Sequence, residues 1–374
     1  MKFIASSSTL LKQLQIVNSV IGSKVVIPIL EYFLFEVDNN TLRIVGTDLE
    51  VSIQSFLTVE ANENGKIAVP SKIIIDTLKS LPDQPITFTI NEETRSIEMT
   101  YDNGKAKISG EVAEDFPKFP TLENATTFSI PQEIIDRAIT KTLFAIGSDE
   151  LKPALTGLFL EMNTENVRFV STDGNKLVKF QRNDIKTSDP VSFILPKKAL
   201  NVIKNSFIGE TEVEVELKYN KVNVLFKIND ITIVSRLIDE KFPDYNSAMP
   251  VDLPNILRLN RADLVNSLKR ISIFANKTTY QVKFSITGNE LQLNAQDLDY
   301  SNEASERLSC EYEGEDMEIG FSARFLVEML GSIDSEEVIL SLSAHNRPGT
   351  LTPAVPAEKE EIIMLLMPIV IKFN

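Results

Sequence analysis

Apolar and polar positions along the chain change their period in a fixed order, and that order recurs three times. Phe3-Ile4-Ala5-Ser6, a short apolar strand closed by a polar residue, leads into the helix-period run Leu10-Leu11-Lys12-Gln13-Leu14. The same pattern takes Phe128-Ser129-Ile130-Pro131 into Ile134-Ile135-Asp136-Arg137-Ala138-Ile139, and Leu257-Arg258-Leu259-Asn260 into Leu264-Val265-Asn266-Ser267-Leu268. A second segment alternates with period two and ends in an aspartate: Leu42 to Asp48, Val167 to Asp173 and Leu291 to Asp297. A third enters another short helix: Ile67 to Lys72, Phe193 to Lys198 and Ile319 to Arg324. Each segment returns after 124 to 129 residues, the mark of an internal repeat. Asp115-Phe116-Pro117 also returns, as Lys241-Phe242-Pro243.

Three segment types in one order predict three domains of one fold, 1–125, 126–250 and 251–374. The boundaries fall near Glu123-Asn124-Ala125 and in the proline-bracketed stretch Pro250 to Pro254. A chain of 374 residues is also too long for one ordinary core. Between the helical runs, period-two segments such as Thr87 to Ile90, Glu212 to Leu217 and Val338 to Leu342 predict half-buried strands. Asp102-Asn103-Gly104 and Asn229-Asp230 supply turns. The fold class expected is α+β, each domain mostly antiparallel sheet with two helices. Ser71 and Asn260 are the expected helix N-caps.

Composition sharpens this only a little. With 43% hydrophobic and 24% charged residues the chain is globular. One cysteine, Cys310, excludes an intrachain disulfide framework and suits a reducing compartment. Met1-Lys2 is followed by only two apolar residues before Ala5 and a serine run, so no secretory signal is visible. Ile362 to Phe373 is too short to span a bilayer, contains Pro368 and Lys372, and reads as a buried terminal strand. The cytoplasm is the expected location.

Charge changes the picture more. A net charge of −15 argues against a polyanionic partner until its distribution is counted. Six helical windows, Thr9–Lys24, Ser71–Ser80, Pro131–Ile146, Lys197–Asn205, Arg261–Lys277 and Ser322–Ser332, hold 14 basic and 5 acidic residues. The helices thus carry +9 and the remainder −24, as expected if helices share a face toward a polyanion.

Catalysis finds no support. His345 is the only histidine and lies in a loop-like Asn346-Arg347-Pro348-Gly349 context. Cys310 alternates with polar residues and reads as a small core side chain. Asp48 and Asp173 recur at equivalent strand ends, which suits turn-forming residues better than an acid–base pair. No catalytic residue, metal site or cofactor is expected.

Thr172-Asp173-Gly174-Asn175-Lys176-Leu177, Lys241-Phe242-Pro243-Asp244-Tyr245, Met317-Glu318-Ile319-Gly320-Phe321, Met367-Pro368 and Gly46-Thr47-Asp48-Leu49-Glu50 resemble the motifs of the bacterial DNA polymerase III β sliding clamps. That resemblance implies a non-catalytic head-to-tail homodimer, a ring whose helices line a hole holding double-stranded DNA of any sequence. It implies DNA contacts at Lys24, Lys72, Lys152, Lys197 and Lys198, and an interface between copies at Ile108, Ile273 and Phe274. It also implies a cleft that receives short hydrophobic peptides from the replicative polymerase, the clamp loader and repair proteins. Matched position by position, the cleft comprises Leu155, Thr172, Gly174, Asn175, Lys176, Leu177, Pro243, Ala248, Phe325, Leu366, Met367 and Pro368. The alternative is a non-ring protein–protein scaffold built from the same repeat. Two features depart from the family: Asp149 and Lys152-Pro153-Ala154 stand where a glutamine and an aromatic pair are frequent, and Pro348 to Lys359 reads as a longer loop.

Overall fold

The computed structural model describes residues 1–22, 26–207 and 213–370. Its contacts divide into two compact units, residues 1–136 with 195–237, and residues 137–194 with 238–374. Six helices occur among the described residues: α1 (Ser7–Asn18), α2 (Ser71–Ser80), α3 (Gln132–Thr142), α4 (Lys197–Ser206), α5 (Arg261–Ile271) and α6 (Ala323–Gly331). Two fall in each sequence repeat and every named strand pairing is antiparallel, so the α+β expectation holds.

In the first unit a five-stranded sheet runs in the order Glu60–Glu63, Lys2–Ser6, Pro85–Asn91, Ser96–Tyr101, Gly104–Ser109. An eight-stranded sheet runs Thr126–Pro131, Glu214–Tyr219, Asn223–Ile228, Ile231–Arg236, Val51–Thr58, Thr41–Thr47, Tyr32–Asp38, Gly65–Pro70. Period-two alternation puts Phe3 and Phe88 on one face, where their rings stack at 4.7 Å. Helix α1 buries Leu10, Leu14 and Val17 completely, each worth about 1.5–3 kcal/mol over exposure. It lies so close to the sheet that a Cβ on Gly46 would come within 2.8 Å of Val17 Cγ1, which is why a glycine interrupts that strand.

In the second unit a nine-stranded sheet runs Val191–Pro196, Gly157–Met162, Val167–Thr172, Lys176–Arg182, Glu360–Leu366, Gly349–Pro353, Glu337–Leu342, Asn255–Asn260, Glu311–Glu313. The last two residues of its first strand belong to the first unit. A four-stranded sheet runs Asn302–Ser309, Glu290–Asp297, Gln281–Thr287, Met317–Ser322. Each large sheet therefore joins strands of two successive repeats.

Local chemistry explains most of the element ends. Ser6 Oγ and Asn260 Oδ1 cap α1 and α5, accepting the N–H groups of Thr9 (3.4 Å) and Asp263 (3.1 Å). Ser71 is no cap: Pro70 holds that position without a side-chain bond, and Ser71 is buried inside α2. The aspartate turns form as expected. Asp48 Oδ1 accepts from Glu50 and Val51 N–H, Asp173 Oδ1 from Asn175 and Lys176 N–H, and Asp297 Oδ1 from Asp299 N–H.

Three expectations need correction. The stretch from Pro348 to Lys359 is not all loop, since Gly349–Pro353 pairs on both sides in the nine-stranded sheet. The terminal strand expected over Ile362 to Phe373 stops at Leu366 and Met367 is exposed, while residues 371–373 lie outside the described residues. Cys310 is half-buried between two edge strands rather than in the core, and burial pushes its thiol up, away from the thiolate.

Candidate functional site

The second unit gathers most of the cleft residues at one end of a strand pair. Val167–Thr172 turns through Asp173-Gly174-Asn175 into Lys176–Arg182. Thr172 Oγ1 donates to Lys176 O (2.7 Å) and accepts from Gly174 N–H (3.0 Å), closing the turn from inside. Gly174 has φ +92 with open space around it, so the backbone conformation alone asks for glycine. The terminal strand completes the end: Leu177 pairs with Leu365, Lys176 with Leu366, and Met367 N–H donates to Asn175 O at 2.9 Å.

Neighbours in a strand point to opposite faces. On one face Leu177 and Leu365 join Val170, Ile194, Phe242 and Tyr245 in a buried cluster, against which Ala154, Leu155, Phe159, Ile238 and Met249 pack half-buried. Phe159 stacks on Phe242 at 4.6 Å and meets Tyr245 edge-on at 6.3 Å. The Tyr245 hydroxyl donates to Glu161 Oε2 at 2.9 Å, and burial, reinforced by that carboxylate, pushes the phenol up. Leu155 is held by the short helical turn Pro153–Thr156, and its carbonyl accepts Gly147 N–H at 2.9 Å.

On the other face Lys176 is buried, its side chain 6% exposed, between Asp173 (3.1 Å) and Glu328 (3.0 Å). Its ammonium lies 4.2 Å from the centre of the Phe325 ring on α6. Gly174, Asn175, Pro243, Ala248 and Met367 are exposed, Met367 by 42%, and Pro368 is half-buried.

The carried-over residues therefore divide between two faces. Leu155 and Leu177 share the apolar cluster, while Lys176 and Phe325 meet on the opposite side. Leu366 is fully buried on that opposite side, and its neighbour Leu365 is the residue in the cluster. Leu365, Phe242, Tyr245 and Met249 belong to or pack against the same cluster, though none is among the residues implied for the cleft. Alternation from Leu177 would have selected Leu365 only with the strand register in hand. Glu328 was also missed, though it stands four residues beyond Arg324 and three beyond Phe325 on one side of a helix.

The lysines implied for DNA are less uniform than their charge. Lys24 lies outside the described residues. Lys72, Lys152 and Lys197 are exposed. Lys198 is 40% exposed and bound to Asp48. Two residues counted toward the positive helices are spent internally. Arg137 bonds Glu360 and Asp334, and Lys141 is buried against Asp334 and the Ser332 carbonyl. Glu360 holds the Arg137 guanidinium firmly in its charged form.

The residues implied for the interface between copies lie on open surface. Ile108 is half-buried on Gly104–Ser109, the outer strand of its sheet. Ile273 and Phe274 are 62% and 40% exposed in the turn after α5.

The DNA polymerase III beta subunit family matches in all three of its domains: N-terminal over residues 1–120, central over 129–244 and C-terminal over 246–369. The chain belongs to this family. A beta sliding clamp from Synechocystis is 29% identical over 94% of this chain and 96% of its own length. The DnaN sliding clamp of Pseudomonas aeruginosa, crystallised bound to griselimycin, superposes with a TM-score of 0.93 at 28% identity, covering 99% of this chain and 100% of that one. The griselimycin-bound clamp of Bartonella birtlesii gives 0.94 at 25% identity, covering 99% and 100%.

A sliding clamp of this polymerase is a non-catalytic processivity factor in DNA replication, and that is the function of the chain. The scaffold alternative gives way to it. Among the described residues no group of three or more His, Cys, Asp or Glu side chains could hold a metal, and no helix is long and apolar enough to cross a membrane.

Proposed function

We propose that two copies of this chain close head to tail into a ring around duplex DNA. The cleft around Leu177 then takes short hydrophobic peptides from the replicative polymerase, the clamp loader and repair proteins, in the cytoplasm. Its three domains are 1–125, 126–250 and 251–374, a division that the family matches support.

One observation carries the ring: a staple that recurs from repeat to repeat. The Asp48 turn of the first repeat is bound by Lys198 at the start of α4. The Asp173 turn of the second is bound, through Lys176, to Glu328 on α6. The third turn, Asp297-Leu298-Asp299-Tyr300, leaves Leu298 and Tyr300 62% and 74% exposed. Lys72, at the α2 position that matches Lys198 and Arg324, is exposed. A second copy supplies what each lacks, third repeat against first. Ile108, Ile273 and Phe274 give that contact an apolar centre. Of the outer strands, Gly104–Ser109 carries Lys105 and Lys107, and Asn302–Ser309 carries Glu303, Arg307 and Glu306, the last already bound by Arg270.

DNA contacts then come from Lys24, Lys72, Lys152, Lys197 and Lys198, to phosphates and independent of sequence, so binding weakens steeply as salt rises. Native mass spectrometry at micromolar concentration tests the assembly. A dimer that holds closed circular DNA and slides off linear DNA is the expected result; a single-chain mass overturns the ring.

A further inference from the structure

We infer that Lys176 is a positioning residue of the peptide cleft. It fastens the aspartate turn of the second repeat to α6 of the third and sets Phe325 against the end of the strand pair, without itself touching the peptide.

Lys176 and Leu177 are adjacent in one strand, so their side chains leave opposite faces of the sheet. A peptide that uses both the Leu177 cluster and Phe325 has to cross the strand end, where Gly174, Asn175 and Met367 are exposed. The spacing of its two halves is then set by whatever joins the turn to α6. Lys176 is that join. A buried ammonium needs full compensation, and here Asp173, Glu328 and the Phe325 ring provide it from three directions.

The partners are committed in turn. Asp173 spends its other oxygen on the N–H groups of Asn175 and Lys176. Glu328 Oε2 is buried and takes no hydrogen bond, so the Lys176 charge is its compensation, while Arg324 reaches the other oxygen at 3.4 Å. Moving the ammonium toward a ligand would leave the buried Glu328 Oε2 without its partner and take the ion pair from Asp173. Direct contact with a peptide acid is therefore disfavoured, and a fixed strut is the role that remains.

The test is calorimetric titration of the full-length protein with a short peptide carrying a glutamine and a hydrophobic end, in an acidic and a neutral version. Because the inference rests on the peptide reading of the cleft, Met367→Ala is run beside it. Lys176→Met is expected to weaken both peptides equally, by about tenfold, and Lys176→Arg to restore most of the affinity. In a Phe325→Ala background the further loss from Lys176→Met should vanish, an outcome that general destabilisation would not give. Glu328→Gln keeps the shape and serves if Lys176→Met folds poorly; about a threefold loss is expected. Wild-type binding by the Lys176 and Glu328 variants while Met367→Ala weakens overturns the strut and keeps the cleft. A loss confined to the acidic peptide also overturns it, in favour of direct contact. Wild-type binding by Met367→Ala as well removes the cleft reading and the strut with it.

Discussion

Arg43 in the first unit and Arg168 in the second stand at matched places and do the same thing. Arg43 donates to Gln54 (2.9 Å) and Glu36 (2.8 Å), and Arg168 to Gln181 (3.0 Å) and Glu161 (3.2 Å). Around them several bonds recur, although the Arg43 partner Gln54 stands at the place of Lys179 rather than of Gln181. Thr47 and Thr172 close their turns through the hydroxyl, and the incoming strand donates from Arg236 N–H to Glu50 O as it does from Met367 N–H to Asn175 O, both at 2.9 Å. Even the apolar groups correspond: Val45, Ala68 and Phe116 with Ile29, Tyr32, Leu34 and Phe119 on one side, the Leu177 cluster on the other.

Several side chains separate them, beginning with Val51 in the first unit where the second has Lys176. The first unit has Ser52 where the second has Leu177, and Ser52 is buried and bonded to Thr47 at 2.7 Å. Arg236, paired with Glu50 at 3.6 Å, stands in place of the apolar Met367. Leu30 is 4% exposed, while its counterpart Leu155 is half-buried. The backbone of the proposed peptide cleft is thus present twice, and its apolar chemistry once. What sets the second region apart is an apolar floor at a strand end.

The comparison can be broken at its foundations first. Arg137→Met leaves Glu360, 6% exposed in its side chain, without its bidentate partner, and a loss of about 3–5 kcal/mol is expected by chemical denaturation. In the first unit the bond from α1 to the sheet is the neutral one between Gln13 and Ser55, and Gln13→Ala should cost about 1 kcal/mol. Equal losses would mean the two regions are braced alike.

Met367→Arg imports the first unit's residue into the cleft. Peptide affinity should fall by roughly thirtyfold, about 2 kcal/mol, with melting temperature and native mass unchanged. An unchanged dissociation constant would place the cleft elsewhere.

Acid should act on the second region too. Burial alone would raise the Asp334 carboxyl, but hydrogen bonds and charge from Lys141 and Arg137 outweigh it and hold it below its ordinary value; Arg182 does the same for Asp184. A depressed carboxyl contributes stability in full above its unfolded pKa of about 4 and loses it as pH falls through the folded value. Denaturation midpoints at pH 7 and pH 3 should differ less in Asp334→Asn than in the parent chain.

The smallest effect is expected at the first unit's own staple. Asp48→Asn breaks a pair whose lysine is 40% exposed, which is worth about 0–1 kcal/mol. The freed Lys198 should lengthen retention on circular DNA at low salt, and shorter retention would contradict its assignment to phosphates.

What the sequence revealed follows the range of the interactions involved. Helices α2 and α4 were legible to within a residue because their signals are local: an apolar strand, a proline and then period 3.6. The aspartate turns were legible because an Asx side chain bonds its own backbone two residues on. Which of Leu365 and Leu366 faces the apolar cluster was not legible, because only the pairing of Leu177 with a strand nearly two hundred residues away decides it. Arg137 and Lys141 read as surface charge for the same reason, since the Arg137 partner Glu360 is 223 residues away. The Lys176 cage was invisible for a further reason: a lysine three residues after an aspartate looks like an ordinary exposed pair.

The sheets that run from one repeat into the next have a consequence for cutting the protein apart. Between 250 and 251 the chain is a loop, yet the strands Lys176–Arg182 and Glu360–Leu366 on either side of that cut share a continuous antiparallel register from Lys176 with Leu366 to Arg182 with Glu360. A fragment that keeps only the first two repeats would bare the edge of Lys176–Arg182, with Leu177 and Phe180 beside it, to solvent and to other chains. Such pieces should be sticky rather than modular, and what evolution copied as one segment cannot be expressed as one.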